Sequence, residues 1–227
     1  MRGFLLVVPV FVLEKENQSL YDRLQERNLA RQYDLLINCI EIGLKQGVRS
    51  FDKYLLWSLN AAAVSNISQL GGRFREEPVY LRDHRPPHFE KVPHLMDQFV
   101  VTVEENWDEW SEYTLASYVL WRMNWIHPFV EGNGRTARAA CYYILCVKSG
   151  GLPGGKIIVP ERIRHDRTPY YEALSEADAE WENGDLKFPK MEAYIARLLD
   201  EQVMGMPLDP NSGERPTPTF DTPSISN

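Results

Sequence analysis

The run His127-Pro128-Phe129-Val130-Glu131-Gly132-Asn133-Gly134-Arg135-Thr136-Ala137-Arg138 brings together an imidazole, a carboxylate, a glycine-flanked amide and two guanidinium groups. Such groups can grip a magnesium nucleotide and take a proton from a hydroxyl beside it. His127 is the candidate general base, because an imidazole neutral near pH 7 can accept a proton from an attacking hydroxyl. Glu131 offers a hard oxygen to Mg²⁺, an ion that keeps several waters and needs only one or two protein carboxylates besides phosphate oxygens. Gly132 and Gly134, without a Cβ, let the backbone approach a ligand closely or adopt positive φ. Arg135 and Arg138 are three positions apart, so on a helix both can turn toward one phosphate chain.

Two helices must hold this run. Leu115, Tyr118, Val119, Arg122 and Ile126 recur at helical spacing and predict a helix over 113–126. Pro128 disfavours helical geometry at His127, which places the imidazole where that helix breaks. A second helix is expected from Thr136 to Lys148, apolar on most sides and therefore buried. The free N–H groups and dipole at its start make an anion site suited to phosphate. A solvated cluster of charges at a helix start is the plainer alternative, yet two arginines there oppose the dipole, which favours an anionic ligand. Further helices are expected near 20–46, 51–64, 93–106, 168–181 and 190–203, the last with Met191, Tyr194, Ile195, Leu198 and Leu199 on one apolar face. Val79, Tyr80 and Leu81 have β propensity, and Pro86-Pro87 closes that region.

A chain of 227 residues with 44% hydrophobic content suits one domain with extensions. We expect an N-terminal segment over 1–19, the domain over 20–205 and a disordered tail over 206–227, where Pro, Ser, Thr and Asp cannot bury enough apolar surface to offset chain entropy. The net charge of −7 argues against nonspecific nucleic-acid binding and against acidic membranes, both of which demand a basic surface. Cys39, Cys141 and Cys146 are odd in number and lack metal-site spacing, so neither a disulfide framework nor a zinc site is expected. A reducing cytoplasm fits best. The apolar run Phe4 to Leu13 lacks a small-residue cleavage site and is too short to span a bilayer, and is read as packing on the bundle.

The 127–138 run resembles the signature of Fic-domain proteins, His-Pro-Phe-x-(Asp/Glu)-Gly-Asn-Gly-Arg-x-x-Arg, with every specified position matched. The resemblance implies a mainly α Fic fold, a helical bundle with a short β-hairpin flap. It also implies a protein adenylyltransferase, moving AMP from ATP to a Ser, Thr or Tyr hydroxyl of a target protein with Mg²⁺ and releasing pyrophosphate. Carried over by position, His127 is the base, Phe129 an inward anchor and Glu131 the Mg²⁺ ligand. Asn133 with the backbone N–H groups of Gly132 and Gly134 cradles the α- and β-phosphates, Arg135 supports the β-phosphate and Arg138 orients the γ-phosphate. The stretch 69–87 resembles the family's helix end, Gly-x-Phe/Tyr-Arg element and flap, so Val79, Tyr80 and Leu81 would dock the target's backbone as an added strand. Tyr170 to Leu174 resembles the tyrosine-bearing helix near the nucleotide pocket, and adenine packing and core packing both remain open there.

Many relatives restrain themselves through Ser/Thr-x-x-x-Glu-Gly/Asn, whose glutamate pairs with the second signature arginine. The nearest match is VLEKEN at 12–17, with Glu16 the candidate inhibitory residue for Arg138, but Val12 replaces the hydroxyl residue. An antitoxin-like inhibitor could supply the glutamate instead. Other donors such as UMP or phosphocholine, AMP removal, and a non-catalytic nucleotide-binding module all stay open, whereas Gly134 argues against the Doc kinase branch. The target protein and the oligomeric state are not written in the sequence.

Overall fold

Two consecutive helices, enclosed on nearly every side, form the axis of the fold. In the computed structural model, which describes residues 18–81 and 84–209, the order is α1 (Gln18–Gln46), α2 (Lys53–Ala63), α3 (Val92–Glu105), α4 (Glu112–Ile126), α5 (Asn133–Lys148), α6 (Val159–His165), α7 (Thr168–Glu182) and α8 (Pro189–Val203). Short 3-10 turns occupy Gly47–Ser50 and Phe89–Lys91. Glu16, with the rest of 1–17, and the tail beyond 209 lie outside the described residues.

Sequence explains why α4 and α5 are central. On α4 every residue from Leu115 to Met123 is buried, and a helix without a polar face must lie inside the fold. The Ser111 hydroxyl starts it by accepting from the Thr114 N–H at 3.0 Å. On α5, Ala137, Ala139, Ala140 and Cys141 are small and buried, which lets neighbouring helices approach closely. α1, α2 and α6 pack on α5, while α3, α7 and α8 pack on α4. Met191, Tyr194, Ile195 and Leu198 of α8 are buried, as the apolar spacing implies.

α6 is not apparent from periodicity, being short. A polar side chain stabilises it instead: Arg162, 3% exposed, pairs with Glu201 at 3.2 Å and donates to the carbonyls of Ile157 and Glu201. Gln202 works alongside it. Its amide donates to the Tyr142 hydroxyl at 2.9 Å and to the carbonyls of Pro153 and Gly154 at 3.2 Å, while its Oε1 accepts from the Val159 N–H at 2.9 Å.

The expected β-hairpin is not seen. Among the described residues no strand forms, and Val79, Tyr80 and Leu81 follow an irregular path with Tyr80 largely exposed. The one bridge joins Phe74 to Phe129. Pro78, Pro86 and Pro87 have no N–H to offer a ladder. The segment is instead tied down by the Arg75 guanidinium, which takes the Glu77 and Pro87 carbonyls. All three cysteines are free, and no described helix is long and apolar enough to cross a membrane.

Replacing Gln202 by Met keeps its volume but strips two buried groups, the Tyr142 hydroxyl and the Val159 N–H, of this partner and two part-buried carbonyls of a donor. A loss of about 2–4 kcal/mol is expected, read as a lower urea midpoint with an unchanged slope.

Candidate active site

His127 closes α4. The helix cannot continue into Pro128, and the chain turns at His127 into the left-handed region, φ 50° and ψ 59°, with its N–H still donating to Met123 O at 3.0 Å. A histidine in that region is unusual and persists only where its surroundings impose it. The imidazole is half-buried, with Nδ1 fully buried beside the Asn124 carbonyl but without a hydrogen bond of normal geometry. Burial lowers its pKa to about 4, opposed by the Asn124 carbonyl and reinforced by the positive charges of Arg75 and His84. The ring is therefore neutral at pH 7, the state a proton acceptor needs.

The loop after it is closed by side chains bonding to backbone. Phe129 is fully buried and packs on Phe74 with ring centroids 5.8 Å apart. Asn133 accepts from the Phe129 N–H at 2.8 Å and donates to the Phe129 carbonyl at 2.7 Å. Both functional atoms of its side chain are thus committed to the loop, so what Asn133 can present to phosphate is its backbone N–H. Asn60 of α2, fully buried, donates to the Glu131 carbonyl at 2.9 Å and to the Thr136 hydroxyl at 3.2 Å, and accepts from the Gly72 N–H at 2.9 Å. Gly132 has φ 81° and sits so close to α2 that a Cβ would lie 2.6 Å from Val64 Cγ1. No residue but glycine fits there.

α5 starts at Asn133, ahead of Thr136, where its N-cap Gly132 supplies no side chain. The N–H groups of its first turn have no intrahelical acceptor and form the anion face. Arg135 lies along one side, donating to the Ala63 carbonyl at 2.7 Å and to Glu131 Oε1 at 2.6 Å. Arg138 differs: among the described residues it has no carboxylate partner. Its Nη1 folds back over Gly134, where a Cβ would lie 3.3 Å away. Burial lowers its pKa to about 10, partly offset by Tyr170 and increased by repulsion from Arg167, Arg135 and Arg164. Four guanidinium groups converge here, of which Arg135 pairs with Glu131 and Arg164 with Glu161. A ligand carrying several negative charges would relieve that repulsion.

Tyr170 resolves in favour of packing. It is buried, its hydroxyl accepts from Asn124 Nδ2 at 2.8 Å, and burial raises its phenol pKa. On the far side, the Tyr21 hydroxyl of α1 reaches Glu131, which together with burial raises the Tyr21 pKa. Glu131 is the one carboxylate of the loop, and its pairing with Arg135 engages one oxygen. Among the described residues no set of three or more His, Cys, Asp or Glu converges on a common point. The donor set therefore fits a Mg²⁺ that draws its remaining ligands from phosphate and water, and does not fit a cation held by protein alone.

Val79, Tyr80 and Leu81 are not among the groups that converge on this loop. Tyr21, Asn60, Arg75, Asn124, Arg164 and Arg167 join the site without a mark in the signature. Two of them gave a signal: Asn60, a lone amide in the apolar run Leu55 to Val64, and Arg75, the arginine of the Gly-x-Phe/Tyr-Arg element.

The Fic/DOC family model matches residues 50–145. Protein adenylyltransferase Fic of Nematostella vectensis is 26% identical over 177 residues, which are 71% of this chain and 38% of that protein. The chain thus spans little more than a third of the length of that curated relative. Among solved structures, Fic-1 from C. elegans superposes with a TM-score of 0.65 at 21% identity, covering 85% of this chain and 53% of that one. BepC from Bartonella tribocorum, solved with AMPPNP bound, gives a TM-score of 0.58 at 13% identity over 82% of this chain and 88% of that one. The mainly helical fold is the Fic fold.

The depressed His127 pKa has a consequence for stability. An unfolded histidine titrates near 6.5, whereas the folded one titrates near 4. Between these values the unfolded chain binds more protons, so this contribution is complete above about pH 6.5 and declines as pH falls toward 4. His127→Asn tolerates left-handed geometry and removes the slope. Urea midpoints at about pH 5 and about pH 7.5 should therefore converge in the variant relative to the wild type; an unaltered difference would contradict the buried, neutral ring.

Proposed function

Residues 50–145 belong to the Fic/DOC family, and from that premise we propose that this chain is a protein adenylyltransferase, moving AMP from ATP to a Ser, Thr or Tyr hydroxyl of a target protein. One arrangement carries the reading: a buried imidazole ends α4 and, six residues on, α5 begins with free N–H groups and a desolvated Arg138 among like charges. A base beside a polyanion site is what phosphate transfer to a hydroxyl requires. The nucleotide in the related BepC structure supports ATP as donor.

In this mechanism the N–H groups of Asn133, Gly134 and Arg135 receive the α- and β-phosphates, Arg135 supports the β-phosphate and Arg138 holds the γ-phosphate. Nδ1 of His127 lies buried beside the Asn124 carbonyl, which leaves Nε2 for the incoming hydroxyl. As Nε2 takes the proton, the hydroxyl oxygen bonds to the α-phosphorus, the bond from that phosphorus to the bridging oxygen breaks, and pyrophosphate departs with the electron pair. Glu131 would hold Mg²⁺, which when bound neutralises charge on the phosphates. Neither covalent intermediate nor protein nucleophile is needed, since positioning and charge stabilisation dominate such transfers.

The target protein would dock along Val79, Tyr80 and Leu81, whose backbone has no strand partner in the described chain and whose Tyr80 is 74% exposed. Restraint would come from a glutamate neutralising Arg138. Glu16 is the internal candidate, five positions before the Tyr21 that meets Glu131, and an antitoxin-like partner is the external one.

With ATP labelled on the α-phosphate, wild-type protein should label itself or a target in lysate. His127→Ala should lower the transfer rate about 10²–10⁴-fold while still binding nucleotide. Arg138→Ala should weaken ATP binding about tenfold or more, as expected for loss of a charge-assisted contact. Equal labelling by wild type and His127→Ala would remove His127 from the chemistry.

A further inference from the structure

We propose that Arg75 is a positioning residue for His127, a buried guanidinium that fastens both ends of the target-docking segment to the backbone of the catalytic loop. The inference rests on the transferase reading above. It names the link through which target docking reaches the base.

Arg75 is 2% exposed, yet among the described residues no carboxylate pairs with it. Its guanidinium is instead distributed over backbone carbonyls. Nε donates to His127 O at 2.8 Å, Nη2 to Ile126 O at 3.4 Å and to Pro87 O, and Nη1 to Glu77 O at 3.2 Å. Its own N–H donates to Pro128 O at 2.9 Å. One residue thus holds three consecutive carbonyls, 126 to 128, together with one carbonyl from each end of the segment that contains Tyr80. Phe74 reinforces the junction through its bridge to Phe129.

The chemistry at that point calls for a guanidinium. The last carbonyls of α4 have no intrahelical donor and carry the negative end of the helix dipole. The left-handed turn at His127 costs of order 1–3 kcal/mol and holds only if its surroundings over-determine it. A planar fork with five donors can serve carbonyls that diverge in direction, whereas an ammonium offers a point charge. The Arg75 charge has a second effect, since with His84 it adds to the burial that keeps the imidazole neutral. Displacement of the 77–87 segment by a bound target would therefore be felt at the backbone of the base.

Arg75→Lys separates charge from fork. In the full chain, nucleotide affinity should stay within about twofold, because the phosphate groups bind at α5, while kcat for AMP transfer should fall about tenfold or more. An unchanged kcat, or an affinity that declines in step with kcat, overturns the proposal. Hydrogen exchange on the wild-type chain provides a second measurement that needs neither activity nor a folded variant. The amides of His84, Arg85, His88 and Phe89 and those of Ile126, His127 and Phe129 should open as one unit, and independent opening of the two sets overturns the proposal. Wild-type protein that fails to label any protein would remove the transferase reading, whereas the exchange result still decides the clamp.

Discussion

Pro128 bars α4 from continuing, and the left-handed turn at His127 that results is the constraint on which the site depends. It turns the chain so that α5 begins within six residues of the imidazole. A turn of this kind is not stable by propensity. It is held by Asn133 on the Phe129 backbone, by Asn60 on the Glu131 carbonyl and by Arg75 on the carbonyls before it. All three bond side chain to backbone, and all are buried, so each replaces hydrogen bonds the loop would otherwise have to make with water.

Packing supplies the rigidity beneath that loop. Phe129 is anchored from below by Phe74, and Gly132 is pressed against Val64 and Asn60 of α2. Because α4 and α5 are enclosed by the remaining helices, the loop between them has two fixed ends. That arrangement limits reorganisation at the reacting centre, which is the condition under which fixed dipoles and charges stabilise a transition state most.

Much of this was legible in the sequence. The two central helices followed from apolar spacing, and the break at His127 from Pro128. What escaped were interactions without periodicity: α6, stabilised by Arg162 and Gln202, and the knot made by Asn60. Asn133 was legible as a site residue but not in its role, since nothing in the string says that its amide turns inward to Phe129. The strand expected around Tyr80 does not form among the described residues, for a physical reason. Strand propensity at Val79, Tyr80 and Leu81 needs a partner ladder, and the flanking prolines with the carbonyl-seeking Arg75 remove it.

The two signature arginines divide the electrostatic work unequally. Arg135 is neutralised within the protein by Glu131 and by the Ala63 carbonyl, so its charge is compensated before any ligand arrives. Arg138 is desolvated with like charges around it and no carboxylate partner among the described residues, and its lowered pKa registers that cost. A chain of net charge −7 repels stray polyanions at its surface, whereas the like charges gathered around Arg138 would favour a polyanionic ligand there. In the proposed transfer Arg135 would turn to phosphate oxygens, and the Glu131 carboxylate it now pairs with would be free to hold Mg²⁺.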